Sequence, residues 1–179
     1  MNKKQIYILS LLLSLMFILV CMQQFFSEDI KKVALRNNGV NKFSEYKLNE
    51  GEYKVLLPGE WIVEEGMENV DETELEIRFN SDKIEGNITI LNNLDSINKV
   101  DIRIFQNINN KKYYEYKSNG VSWNVINYEV KENSNNFRNK CYFREDSEGK
   151  VILINFKYDD SKSKPSIEVV FEEIVDNFR

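Results

Sequence analysis

Residues 137–160 read FRNKCYFREDSEGKVILINFKYDD. Two apolar-rich arms flank Ser147-Glu148-Gly149, a short polar stretch ending in Gly of the kind that turns a chain. The stretch therefore predicts an antiparallel hairpin. In its second arm, Val151-Ile-Leu-Ile-Asn-Phe156 shows no in/out alternation. A strand of that kind has both faces covered and belongs in the middle of a sheet. In the first arm Cys141 keeps phase with Phe143, which marks it as a buried free thiol.

Working outward, the neighbouring segments supply the rest of an antiparallel sheet. Residues 112–130 hold a second hairpin about Asn119-Gly120, the strongest short-range turn signal there is. Its second arm changes apolar phase, from Val121, Trp123 and Val125 to Ile126, Tyr128 and Val130, as a bulge or burial on both faces would require. Leu75, Ile77 and Phe79 alternate with Glu74, Glu76 and Arg78, predicting a half-buried strand. Ile88 and Ile90 mark another. In YKVLLPGEW, residues 53–61, two strand-like pieces flank Pro58-Gly59; Pro at i+1 and Gly at i+2 predict a type II turn leading one strand into the next, with Trp61 in the core beneath it. Residues 95–110 fit a strand by Val100, Ile102 and Ile104, and a helix by Ile97, Val100, Ile104 and Ile108. From Ser163 to Arg179, Ile167, Phe171, Ile174 and Phe178 form one apolar stripe, predicting an amphipathic closing helix with Ser163 and Pro165 at its start. Hairpins closed by a helix make an α+β domain, one antiparallel sheet flanked by helices.

The amino-terminal end is different. From Ile6 to Met22 the chain is apolar and uncharged, long enough with its flanks for a helix to span a hydrocarbon core. Lys3 and Lys4 favour a cytoplasmic start. A cleaved signal wants small residues before its cut site, and Val20 is not the small residue a lipoprotein cysteine requires at Cys21. The expectation is an uncleaved anchor: cytoplasmic tip and transmembrane helix over 1–26, a juxtamembrane stalk over 27–42, and an extracytoplasmic domain over 43–179. The helix can continue some two turns beyond the membrane until Asn37-Asn38-Gly39 ends it.

Charge sharpens this division. Residues 1–42 carry six Lys/Arg and two acids, so the remaining 18 basic and 27 acidic residues leave the domain at −9. An acidic domain repels phosphate backbones, which argues against a nucleic-acid partner. The 179 residues include no histidine, so His-based nucleophile pairs, metal sites and near-neutral proton shuttles are absent.

The order of these pieces resembles the PsbP-like domain, a family that includes bacterial DcrB-type lipoproteins and photosynthetic PsbP proteins. The matching stretches are YKVLLPGEW at 53–61, GNITIL at 86–91, KCYFREDSEGKVILINFKY at 140–158 and FEEIVDNFR at 171–179. The resemblance implies an antiparallel sheet flanked by helices and a mostly non-enzymatic role at membranes or in assemblies. It transfers no catalytic residue, and the family's metal positions use residue types missing here. Cystatin-like and NTF2-like domains, found behind a membrane helix in secretion machinery, are the alternative folds.

Ser96-Ile-Asn-Lys99 fits S-x-x-K, but the companion motifs of that enzyme class are missing. Glu64, Glu65, Glu68, Asp71, Glu72, Glu74 and Glu76 are acidic enough to suggest calcium but lack a calcium-loop register; a solvated surface is the plainer reading, as it is for Asp159-Asp160. Trp61 and Trp123 are read as core aromatics before ligand platforms. The expectation is a membrane-tethered, non-enzymatic binding or assembly module with no catalytic, cofactor or metal residue, partnered by the membrane and by a protein or envelope component. A structural subunit of a secretion or conjugation apparatus is the alternative, and a carboxylate-based hydrolase a third.

Overall fold

In the computed structural model, residues 3–66, 73–92, 105, 108, 111–132, 135–159, 161 and 164–179 are described. The elements run α1 (Lys3–Asn37), β1 (Phe43–Leu48), β2 (Tyr53–Pro58), β3 (Ile62–Gly66), β4 (Thr73–Asn80), β5 (Ile84–Leu91), β6 (Lys112–Ser118), β7 (Val121–Glu132), β8 (Asn135–Glu145), β9 (Val151–Asp159) and α2 (Ile167–Asp176). Seven strands form one antiparallel sheet in the order β3-β4-β5-β9-β8-β7-β6, and β1-β2 form a separate hairpin. The β8–β9 hairpin sets this order. It brings β9 back against β5, joining the β3-β4-β5 meander to the β6-β7-β8 one. Asp146 shapes the hairpin turn: its Oδ1 accepts from Glu148 N at 2.8 Å and Lys150 N at 3.0 Å.

β9 is central, and over Val151–Ile154 both of its faces are covered. Ile152, Ile154, Phe156 and Tyr158 join the main core, while Val151 and Leu153 join a second core with Phe105, Ile126, Cys141 and Phe143. The same partition explains the apolar phase of β7. Its register against β6 and β8 runs without a break, and Val125 and Ile126 enter opposite cores. Burial on two faces, not a bulge, is the cause. At the β6–β7 turn Asn119 and Gly120 both adopt positive φ, 52° and 78°, as a two-residue hairpin needs.

α2 lies on the main core, with Ile167, Val170, Phe171, Ile174 and Val175 buried. Phe171 stacks on Phe156 with ring centroids 4.2 Å apart. Burial of each such side chain is worth about 1.5–3 kcal/mol. Ser166, preceding the helix, makes no side-chain cap bond. Of residues 95–110, only Phe105 and Ile108 are among the described residues, so the strand-or-helix alternative lies outside them, as do Ser96 and Lys99.

Two features differ from the expectation. Pro58-Gly59 does not form a type II turn between neighbouring strands. Gly59 has no positive φ; its amide donates to Lys42 O at 3.0 Å, and Trp61 N donates to Pro58 O at 3.0 Å. Pro58 is therefore the first residue of the turn, and the corner carries the chain from one sheet to the other. Glycine suits it sterically, since a Cβ there would lie 3.1 Å from the Lys42 and Ser44 side chains. The second difference is the β1–β2 hairpin itself, closed by Asn49, Glu50 and Gly51, all with positive φ.

Candidate interaction surface

Three places bring functional side chains together: the anchor helix where it meets the domain, the face of the sheet opposite α2, and a buried lysine beneath α2. At the first, α1 ends in a Schellman arrangement. Val40 N donates to Leu35 O and Gly39 N to Arg36 O, both at 3.0 Å, with Gly39 at φ 81°. This turn drives Val40 into the main core, 3% exposed, with Leu35 packed against it and Ala34 also buried. Asn38 Nδ2 donates to Ser166 Oγ at 2.9 Å. Lys31 pairs with Glu173, and Lys164 Nζ donates to Asn37 O. The 35-residue helix is thus continuous into its docking contacts with α2. Its stretch Lys3–Met22 is long and apolar enough to cross a membrane.

On the sheet face opposite α2, the β3-β4-β5-β9 half carries polar residues at alternate positions. Glu64, Glu76, Arg78, Asn87, Asn155 and Lys157 line a hollow of about 380 Å³. Arg78 pairs with Glu76 at 3.0 Å, and Asn87 Nδ2 donates to Thr89 Oγ1 at 2.8 Å. Lys157 Nζ reaches Glu132 at 2.6 Å and lies 3.9 Å from Glu85. Asn155 Oδ1 is buried and has no hydrogen-bond partner among the described residues. Below this face Gly86 sits directly opposite Phe79, whose ring fills the space a side chain would need: an added Cβ would lie 2.3 Å from it. The surface is built on paired strands and offers mixed charge and amide groups.

Beneath α2, Lys140 is 2% exposed and pairs with Glu168 at 2.9 Å. Burial opposes its charge, yet Tyr114 and the Glu168 carboxylate together hold its pKa above the ordinary lysine value. The Tyr142 ring lies under the ammonium, 5.4 Å away. Burial also keeps Glu172 protonated to higher pH than an ordinary glutamate. The Lys140–Glu168 pair fastens α2 to the sheet.

The tryptophans are core residues. Trp61 stacks on Phe79 at 5.3 Å, and Trp123 meets Phe178 edge-on at 6.2 Å with the Arg144 guanidinium over its other part at 4.8 Å. Cys141 is buried, and burial pushes its thiol up to about 12. Of the acidic run, Glu64 and Glu76 carry described side chains and lie at the polar hollow; the other five lie outside the described side chains. Asp159 ends β9, its Oδ1 accepting from Ser161 N at 3.0 Å. Among the described residues no three His, Cys, Asp or Glu side chains gather as a metal site would need. Sequence reasoning missed the contacts of Ala34, Leu35 and Val40 with the core. The 3.0 Å Schellman bonds had a visible signal in Asn-Asn-Gly, but nothing local says what α1 packs against.

No protein-family model matches the sequence, and no curated protein sequence does. Solved structures do match in fold. The solution structure of cyanobacterial PsbP (CyanoP) from Synechocystis sp. PCC 6803 superposes with a TM-score of 0.55 at 14% identity, covering 77% of this chain and 92% of that one. The Saccharomyces cerevisiae Ran-binding protein Mog1p gives 0.52 at 11% identity, covering 77% and 95%. A Bacteroides thetaiotaomicron protein gives 0.51 at 12%, covering 75% of this chain and 47% of its own. The domain therefore has the PsbP-like α+β fold, an antiparallel sheet flanked by helices.

Proposed function

We propose that this protein is a non-enzymatic, membrane-tethered module that presents its PsbP-like domain outside the cytoplasm to a protein or envelope partner. The observation that carries the reading is the unbroken course of α1 from its apolar stretch into its docking contacts with α2. A helix clamped in this way holds a domain at a set height and orientation, which suits presentation of a surface. The partner surface in this reading is the polar hollow of β3-β4-β5-β9. Ran binding belongs to Mog1p; the fold shared with it and with PsbP supports a binding or assembly role in general terms.

The tether runs over 1–26, with 27–42 linking it to the domain at 43–179. Photo-reactive residues at Arg78, Glu85 and Lys157 in intact cells should yield one discrete adduct, and those at Glu85 and Lys157 should be lost when Arg78 is reversed to Glu. Repeated recovery of no adduct from any of the three positions contradicts the reading. The alternative, a subunit of a secretion or conjugation apparatus, separates from it by replacing residues 1–26 with an unrelated anchor. An apparatus subunit then loses assembly, whereas a tethered binder keeps its adduct.

A further inference from the structure

Beyond Met22, α1 carries Phe26, Ile30 and Val33, which are 57%, 68% and 56% exposed. Among the described side chains they stand on one face of a segment otherwise rich in charge: Glu28, Asp29, Lys31, Lys32 and Arg36. Their spacing of four and then three residues is the seam of a heptad repeat. Extended backward at the same period, the seam takes in Leu19, Met16, Leu12 and Leu9 within the apolar stretch, interrupted at Gln23.

The seam is not the face that meets the domain. At 100° per residue, the direction of Phe26, Ile30 and Val33 lies about 120° round the helix from that of Lys31, Ala34, Leu35 and Asn38. Docking to α2 therefore leaves the seam uncovered. Nor does the lipid account for it if the apolar stretch spans the bilayer. At about 1.5 Å per residue, Ile30 and Val33 stand roughly 12 and 16 Å past Met22, beyond the headgroup layer.

We propose that this seam is a self-association surface and that its occupant is the α1 helix of a second copy of this chain. The inference rests on the tethered reading, because the anchor supplies what the seam needs. Every copy crosses in the same direction, so its Phe26, Ile30 and Val33 stand at the same height as those of its neighbour and face them in parallel. Two exposed turns are too few to associate from solution; confinement to one membrane raises the effective concentration. Charge allows the pairing. Glu28, Lys31 and Lys32 fall on the outer positions, and the position across the seam from Asp29 is Ala34, uncharged and covered by its own domain, so no like charges meet. The two domains then lie to the outside of the helix pair, each on its own α1, with the polar hollows unobstructed by the seam.

The test uses the full chain in native membranes, with Cys21→Ser and one cysteine introduced at a time; Cys141 stays, being buried. Under oxidation, Ile30→Cys and Val33→Cys should form disulfide-linked dimer severalfold more than Lys32→Cys, and Val33→Glu should remove the Ile30→Cys crosslink. Equal crosslinking at all three positions would reflect random collision and overturn the proposal. So would absence of dimer with labelling of Ile30→Cys by a lipid-phase thiol reagent, which would make lipid the occupant. In the unaltered chain, which keeps Cys21, dominant crosslinking through that residue would place the contact on the opposite face, with Ser10 and Ser14, and also overturn it. Alkaline extraction of the same membranes reads the tether separately. Release of the chain refutes the membrane reading and the argument built on it, whereas a retained chain with equal or absent crosslinking overturns the seam alone.

Discussion

Asn38 and Ser166 are separated by 128 positions, and the amide of one donates to the hydroxyl of the other at 2.9 Å. Ser166 stands where a helix cap would be, and its hydroxyl serves the tertiary joint instead of its own helix. The end of the anchor helix and the start of the last helix are therefore one joint. Gly39 sets its geometry, with φ 81° and open space where a Cβ would go. Gly39→Ala should lower stability by about 1–2 kcal/mol, from backbone strain alone. Denaturant unfolding of the full chain in detergent checks it, and a neutral result would mean that the helix does not end in this turn.

Trp61 and Gly86 test the packing under the polar hollow. Trp61→Ala removes the ring stacked on Phe79 and should cost about 3–5 kcal/mol. Gly86→Ala places a methyl against Phe79 and against Asn155 O, 2.5 Å away. Overpacking of this kind costs about 1–3 kcal/mol. A Trp61→Ala protein of unchanged stability that has lost its adduct would make the tryptophan a binding residue.

The Lys140–Glu168 pair should respond unequally to loss of its two members. Lys140 is buried and Glu168 is half exposed, 2% against 49%. Glu168→Gln strands a buried cation, while Lys140→Met leaves a carboxylate free to meet water. Thermal unfolding should show the glutamate variant as the less stable of the two, because an unpaired buried charge is the costlier defect. The reverse order would mean that the lysine reaches solvent.

Asp146 gives acid sensitivity to the central hairpin. Burial alone would raise its pKa, but bonds from Tyr53 and from the Glu148 and Lys150 amides, with the charge of Lys150, hold it below the ordinary 3.8. The unfolded state then binds the proton more readily, so this contribution to stability is present above pH 3.8 and lost as pH falls through the depressed value. Burial, followed by the same Asp146 bond, raises Tyr53 above its ordinary 10.0, so its contribution fades as pH rises beyond that. Asp146→Asn should flatten the acid limb of a stability–pH curve. An unchanged limb would show that the Tyr53–Asp146 bond is not formed.

Cys141 should resist alkylation at pH 8 in the folded protein and react promptly in denaturant, since its thiolate is disfavoured until about pH 12 by burial. Counting modified thiols in a Cys21→Ser background checks this, and rapid native modification would contradict the second core.

Much of this architecture was legible because it rests on local pattern. The unbroken apolar run 151–154 announces a central strand, Asn119-Gly120 a hairpin, and Ile167, Phe171, Ile174 and Phe178 a one-sided helix. The Pro58-Gly59 corner is not legible locally, because dihedral preference describes a turn without saying which sheet receives the strand after it. Val125 beside Ile126 left two readings open until a second core appeared across the sheet. The contacts of Ala34, Leu35 and Val40 could not be read at all, for they depend on a helix more than a hundred residues later. The polar hollow was half visible: Glu64 and Glu76 stood in an acidic run, while Arg78, Asn87 and Lys157 join them only through strand pairing.

The coupling of the anchor helix to the domain is tested most directly by a distance. Spin labels at Glu28 on α1 and Glu148 in the β8–β9 turn, in the Cys21→Ser chain reconstituted in lipid, report it by pulsed dipolar spectroscopy. A single narrow distribution is the expected result, broadening when Val40 is changed to Asp. A broad distribution in the unperturbed chain would mean that the domain swings freely on its tether, and the rigid presentation proposed for it would be wrong.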